Sequence, residues 1–223
     1  MDRNAIKSNL GVIAAVGSIW GLTEFLFGLG LQKCATLYTG AILTGLAFFW
    51  LSFIWSVMRS IIPVLIIVGI VMLFKMLDAV FLPVALNHGS ILNPMYAFFT
   101  ILVGFVILIS VFRNRFSGKL MNRILVGAGA AMIATAMFPL VKFATGNPAC
   151  VYAATNIPLA IYTAPVAILL SMITVPLGFK TATWYNSNIQ GLHSDQPVTR
   201  LARLWSPAVV VCCLLIITLV RII

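Results

Sequence analysis

The chain has 223 residues, 62% of them hydrophobic and 8% charged, with a mean hydropathy of +1.12. A soluble domain of that length has too few polar residues to cover its surface, and a transmembrane β-barrel is excluded because the apolar runs are long and continuous rather than short and alternating. Lys and Arg number 14 against 4 Asp and Glu, a formal net charge of +10; in a soluble protein that balance points to nucleic acid, whereas here it points to basic loops beside a membrane, and no nucleic-acid partner is expected.

A helical span needs about 20 apolar residues. The runs predict spans at Leu10–Leu31, Thr36–Met58, Ser60–Leu82, Ile91–Phe112, Ile124–Thr145 and Ile157–Phe179, with Trp205–Ile222 as a shorter seventh. The expected fold is therefore all-α: one polytopic transmembrane helix bundle over residues 1–223, with a six-helix core at about 8–180, a polar segment at 181–204 and a C-terminal helix at 205–222. The segment Thr181–Leu204 holds Trp184, Tyr185, His193 and Asp195 and reads either as an interfacial helix or as a loop. Met1–Leu10 carries charge but leads into a run too long for a signal peptide, with no small-residue cleavage pattern after it, so an uncleaved first span is expected.

Basic residues alternate between the loops. Arg3 and Lys7 precede the first span, Arg59 follows the second, Arg113, Arg115, Lys119 and Arg123 follow the fourth, and Lys180, Arg200 and Arg203 flank the segment after the sixth. The other loops hold little: Lys33, nothing over Pro83–Ser90, and Lys142. The positive-inside rule then places the N-terminus in the cytoplasm, as for a bacterial inner-membrane protein, and the C-terminus outside if the seventh run crosses.

That orientation converts position into depth. A charge at bilayer depth costs about 2.5–3.5 kcal/mol on insertion scales, so ionisable groups inside spans need a reason. Lys75 and Asp78 sit at i,i+3, one helical face, close enough to pair. Glu24, Lys75, Asp78 and Lys142 all fall in the outer halves of their spans, joined from loops and helix starts by Cys34, Tyr38, Asn87, His88, Asn93, Asn147, Cys150, Tyr152, Asn156 and Tyr162. Staples between helices would scatter through the depth. Convergence at one level favours a polar cavity open to the outside, with Trp20, Glu24, Lys75, Asp78, His88, Asn93, Lys142 and Tyr162 as its binding residues.

Local patterns fit that reading. Gly17, Trp20, Gly21, Glu24 and Gly28 form one stripe, whose small residues permit close helix approach and whose Trp20 can stack on a ligand, pack internally or face lipid. Thr135, Phe138, Pro139 and Lys142 share a face of span five, where Pro139 is expected to disturb the helix; Pro158 and Pro165 bracket Tyr162. Asn87–Pro94 and Gly146–Cys150 are turn chemistry. Cys212 and Cys213 read as inert packing residues, whereas Cys34 and Cys150 are open to being free, bridged, or soft metal ligands with His88; no Cys-x-x-Cys or His-x-x-x-His spacing supports the metal.

No nucleotide-binding loop and no hydrolase, zinc-protease or haem-attachment motif occurs, and no nucleophile–base pair can be assigned, so no enzyme activity is expected and no cofactor is identified. At Gly17-Ser-Ile-Trp-Gly-Leu-Thr-Glu24, followed by Lys75-Met-Leu-Asp78 and Asn93-Pro94, the chain resembles the substrate-binding S-components of energy-coupling-factor transporters. The resemblance covers the first six spans. It implies six helices, a cytoplasmic N-terminus, an outer pocket for a vitamin or metal ion, and docking on a transmembrane scaffold with ATPase subunits through small-residue pairs of span one, here Gly11/Ala15, Ala14/Ser18 or Gly17/Gly21. The seventh run departs from that pattern, and no signature of a particular vitamin is visible. The expected function is a binding and uptake subunit for a small molecule or ion; the alternative is a structural subunit of a larger membrane complex.

Overall fold

In an apolar surrounding a backbone has only itself to satisfy its N–H and C=O groups, which is why each apolar run closes into a helix. The computed structural model describes residues 3–29, 38–81, 87–112, 119–151, 155–187 and 197–222; Cys34, Tyr152 and His193 lie outside the described residues. The helices are α1 (Arg3–Leu29), α2 (Thr39–Met58), α3 (Ile61–Phe81), α4 (Gly89–Phe112), α5 (Leu120–Met137) continued by a 3₁₀ turn (Phe138–Leu140) and a short α6 (Val141–Thr145), then α7 (Leu159–Tyr185) and α8 (Pro197–Ile222). Six core helices and a seventh at the C-terminus are as expected, and no strand occurs among the described residues.

Of the polar segment 181–204, residues 181–187 and 197–204 are among those described. Its first part continues α7 to Tyr185 and its last part forms the opening turns of α8. Nothing between Phe179 and Tyr185 breaks a helix: Thr181 and Thr183 fold their hydroxyls back onto the carbonyls of Leu177 and Lys180, and Ala182 is buried. At the other end, Pro197 opens α8 with a preset φ and no N–H to lose.

Pro139 acts as its chemistry requires. Lacking an N–H, it sits where the α-helix tightens to 3₁₀, and the Val141 N–H bonds back to the carbonyl of Phe138. Tyr96 on α4 donates its hydroxyl to the Met137 carbonyl at 3.3 Å, tying the distorted turn to its neighbour. Between α2 and α3 the chain reverses at Arg59, which adopts the left-handed conformation (φ 51°) and returns its N–H to Trp55 at 2.8 Å.

Helices alternate in direction through the bundle. Gly17 and Gly21 of α1 face Ile70 and Phe74 of α3, so those two run parallel; Gly45 and Ser52 of α2 meet Leu170 and Gly178 of α7, also parallel; Gly104 of α4 lies on Ala130 of α5, antiparallel. The closest approaches are at Gly178, where a Cβ would strike Ser52 Oγ and the Phe49 carbonyl, and at Gly127, where it would strike the Ser171 carbonyl. Helix α2 is the hub, packed against α1, α3, α4 and α7. Its Phe48, Leu51 and Ile54 join Trp20, Ile67, Phe105 and Phe179 in the main core. Helix α8 packs beside α1: Ser206 Oγ donates to the Gly11 carbonyl at 2.8 Å, and Cys213 and Ile217 close a second cluster with Phe25 and Phe74.

Leu73, Phe99, Ile107, Met132, Leu169 and Ile173 are exposed in mid-helix around the perimeter. So broad an apolar surface belongs in lipid. Five helices carry spans long and apolar enough to cross, namely Leu10–Phe27, Thr39–Met58, Gly89–Phe112, Leu120–Thr145 and Leu159–Tyr185, and Ile61–Leu77 and Ser206–Val220 are shorter apolar stretches. The chain is a multi-pass membrane protein.

Candidate functional site

One turn of α1 places Trp20 and Glu24 on the same face, and the Trp20 indole Nε1–H donates to Glu24 Oε1 at 3.1 Å. The ring of Trp20 meets Phe98 of α4 edge to face, centroids 6.0 Å apart at 83°. On the adjoining face Gly21 leaves no side chain between α1 and Phe74 of α3. That close approach brings Lys75 into the same interior. Glu24 is 7% exposed and Lys75 9% exposed. A carboxylate and an ammonium thus lie buried on facing helices at one end of the bundle. Asp78 follows on α3, and its side chain lies outside the described residues.

Trp20 is 0% exposed, which decides against one of its three readings. It does not face lipid; it packs on Phe98 and donates its hydrogen bond to Glu24.

His88, Asn93, Lys142 and Tyr162 lie toward the same end of the bundle. His88 precedes α4 and caps it: its Nδ1 accepts the Ser90 N–H at 3.2 Å and lies 2.8 Å from Ser90 Oγ, while its carbonyl accepts from Ile91 and Leu92. Asn93 Nδ2 donates to the Pro148 carbonyl at 3.4 Å, and Asn147 Nδ2 donates to the Asn87 carbonyl at 2.9 Å. These two bonds lock the entry of α4 to the turn after α6. Asn93 Oδ1 is buried with no hydrogen-bond partner among the described residues. Lys142 is exposed in α6, and Tyr162 is 44% exposed one turn into α7.

Cys150 is disulfide-bonded, which removes its sulfur from the soft-metal alternative; Cys212 and Cys213 are free thiols. The Leu159 N–H donates to the Cys150 carbonyl at 2.8 Å, closing the loop between α6 and α7.

Some of the small residues of span one to which the resemblance gives a docking role lie against helices of this chain. Gly17 and Gly21 are occupied by α3, and Gly11 by Ser206 of α8, so these small residues serve packing within the chain. Ser18 is buried as well. Sequence reasoning missed Phe98 and Tyr96, which support the site from α4; neither stands out in a uniformly apolar run. Comparison with protein-family models, with curated proteins and with solved structures finds no match.

Proposed function

We propose that this protein is a membrane subunit that binds a small polar molecule for uptake, with the binding end at the outer face and the N-terminus on the cytoplasmic side of a bacterial inner membrane. The observation that carries the reading is the burial of an acid and a base, Glu24 and Lys75, on the adjoining helices α1 and α3. Burial of unlike charges at membrane depth is costly, and such groups mark ligand or ion paths by default. Asn93 Oδ1 adds an acceptor without a protein partner among the described residues, suited to a ligand hydroxyl or ammonium. Lys75 suits a carboxylate or phosphate on the same ligand, and Glu24 an amine or hydroxyl. A vitamin-like molecule carrying both kinds of group fits this set better than a metal ion does. Energy comes from partner subunits, a transmembrane scaffold with ATPases, docked on a face other than the Gly17/Gly21 stripe.

A second reading, a structural subunit of a larger membrane complex, draws on the complete burial of Trp20 and the hydrogen bond it already gives Glu24. One experiment separates the two. Purified protein is screened by thermal shift against vitamins, small acids, amino acids and metal ions, in wild type and in Glu24→Gln. Uptake predicts a ligand that stabilises wild type and not Glu24→Gln, with the unliganded variant nearly as stable as wild type. A screen with no stabilising ligand, together with a Glu24→Gln protein that loses stability or sheds a co-purifying subunit, replaces uptake by the structural reading.

A further inference from the structure

Past Met137 the fifth span is no longer one continuous α-helix. Pro139 tightens it to a 3₁₀ turn over Phe138–Leu140, and α6 follows as a short separate piece. A 3₁₀ stretch within a helix often marks a hinge, because its hydrogen bonds are poorer than those of the turns on either side. The near side of this hinge is fixed: the Tyr96 hydroxyl donates to the Met137 carbonyl at 3.3 Å, and the Tyr96 ring lies 6.3 Å from that of Phe138. The far end is fixed as well. Cys150 is disulfide-bonded, and its carbonyl accepts the Leu159 N–H at 2.8 Å.

Between these anchors runs a strap, residues 141–149. It holds its own shape: the Thr145 hydroxyl donates to the Val141 carbonyl at 2.8 Å, and Gly146, left-handed at φ 76°, returns its N–H to the Lys142 carbonyl at 2.9 Å. It buries little. Val141 is buried beside the hinge, whereas Lys142, Ala144, Gly146 and Pro148 are exposed and Phe143 is 87% exposed. Elements with few buried apolar contacts are the ones that open locally. Two side-chain bonds tie the strap to the entry of α4, Asn147 Nδ2 to the Asn87 carbonyl at 2.9 Å and Asn93 Nδ2 to the Pro148 carbonyl at 3.4 Å. Gly89 lies beneath both, a Cβ there being 3.7 Å from Asn93 Nδ2 and 3.9 Å from Asn147 Cγ. The second tie engages Asn93, the side chain whose Oδ1 is the candidate acceptor for a ligand.

We propose that residues 141–149 open and close over Asn93, hinged at Phe138–Leu140 and latched by the Asn147–Asn87 and Asn93–Pro148 bonds, and so regulate access to the polar end of the bundle. What the strap admits rests on the uptake reading; its motion does not.

The test is double electron–electron resonance on the full chain, in a background with Cys212 and Cys213 replaced by alanine and the Cys150 disulfide intact. Spin labels are placed at Phe143→Cys on the strap and Ile107→Cys on α4, both exposed positions. The latched distance is expected as the main population. Asn147→Ala is expected to raise a second distance relative to it by about two- to tenfold, the effect of one net hydrogen bond, and Asn93→Ala/Asn147→Ala to raise it further. The Asn147 bond is exposed, so Asn147→Ala alone keeps the test usable if the double variant does not fold. A single distance, unchanged by Asn147→Ala, would make the strap a fixed corner and overturn the proposal. No ligand enters this measurement, so the two readings fail separately: a strap that moves in a protein for which the thermal-shift screen finds no ligand overturns uptake alone, and a ligand found for a protein whose strap is fixed overturns the hinge alone.

Discussion

At the scale of single residues the decisive contact is Trp20 Nε1–H to Glu24 Oε1, because it joins a fully buried indole to a nearly buried acid. Hydrogen bonds to charged groups contribute about 1.5–3 kcal/mol. Trp20→Phe is therefore expected to lower stability by an amount in that range, beyond what the smaller ring costs. A double-mutant cycle with Glu24→Gln isolates the bond, and a coupling near zero would show that it holds nothing. Lys75 gives the companion prediction. Lys75→Met removes the basic neighbour of the buried Glu24 and is expected to lower stability. Glu24→Gln/Lys75→Met is expected to regain part of that stability in a denaturation series; a double variant as weak as the sum of the singles would place the two groups in separate environments. Cys150 is chemical rather than electrostatic: it is disulfide-bonded, and of the chain's three other cysteines, Cys34, Cys212 and Cys213, the last two are free thiols. Peptide mapping without reductant is expected to link the Cys150 and Cys34 peptides, and reduction to separate them.

At the scale of elements, packing rests on a few glycines whose neighbours are backbone. A methyl at Gly178 meets Ser52 Oγ and the Phe49 carbonyl, and one at Gly127 meets the Ser171 carbonyl. The Phe49 and Ser171 carbonyls cannot turn aside as a flexible side chain would, so Gly178→Ala and Gly127→Ala are each expected to cost about 1–3 kcal/mol. A methyl on Gly69 of α3 would meet nothing within 4 Å, and Gly69→Ala is expected to be neutral or to stabilise by about 0.5–1 kcal/mol through helix propensity. Thermal melts of the three variants in one detergent check both signs at once. A Gly69→Ala protein less stable than Gly178→Ala would overturn the assignment of α2 and α7 as the tight pair.

At the scale of the whole molecule, alternation of helix direction sets sidedness. Lys119 before α5 and Asn87 before α4 lie at opposite ends of the bundle, and α8, parallel to α1, carries the C-terminus to the end of Asn87. In a background with Cys212 and Cys213 replaced by alanine, single cysteines at Lys119 and Asn87 are expected to react with impermeant thiol reagents from opposite faces of sealed vesicles. A C-terminal tag is expected on the face of Asn87. Labelling of both cysteines from one face would remove the common outer level on which the candidate site depends.

What the sequence determined by itself is the class of the protein, the number of helices and the end at which its polar residues gather. Each rests on one-dimensional physics: a bilayer demands about 20 apolar residues per crossing, and an ionisable group within such a run is costly enough to stand out. Glu24, Lys75 and Lys142 stood out in the sequence for that reason. Which faces meet was not legible, because a membrane helix such as α7 is apolar all round and no periodicity separates its lipid side from its packed side. Only the tertiary structure decided that α2 packs chiefly on α7, that Gly17 and Gly21 receive α3, and that α8 covers Gly11. It also decided the fate of Trp20, turned inward to a carboxylate, and of His88, spent on capping α4. Those outcomes depend on side chains brought together from distant helices, where close contact and the need to satisfy each buried polar group select one arrangement among many that the same apolar runs allow.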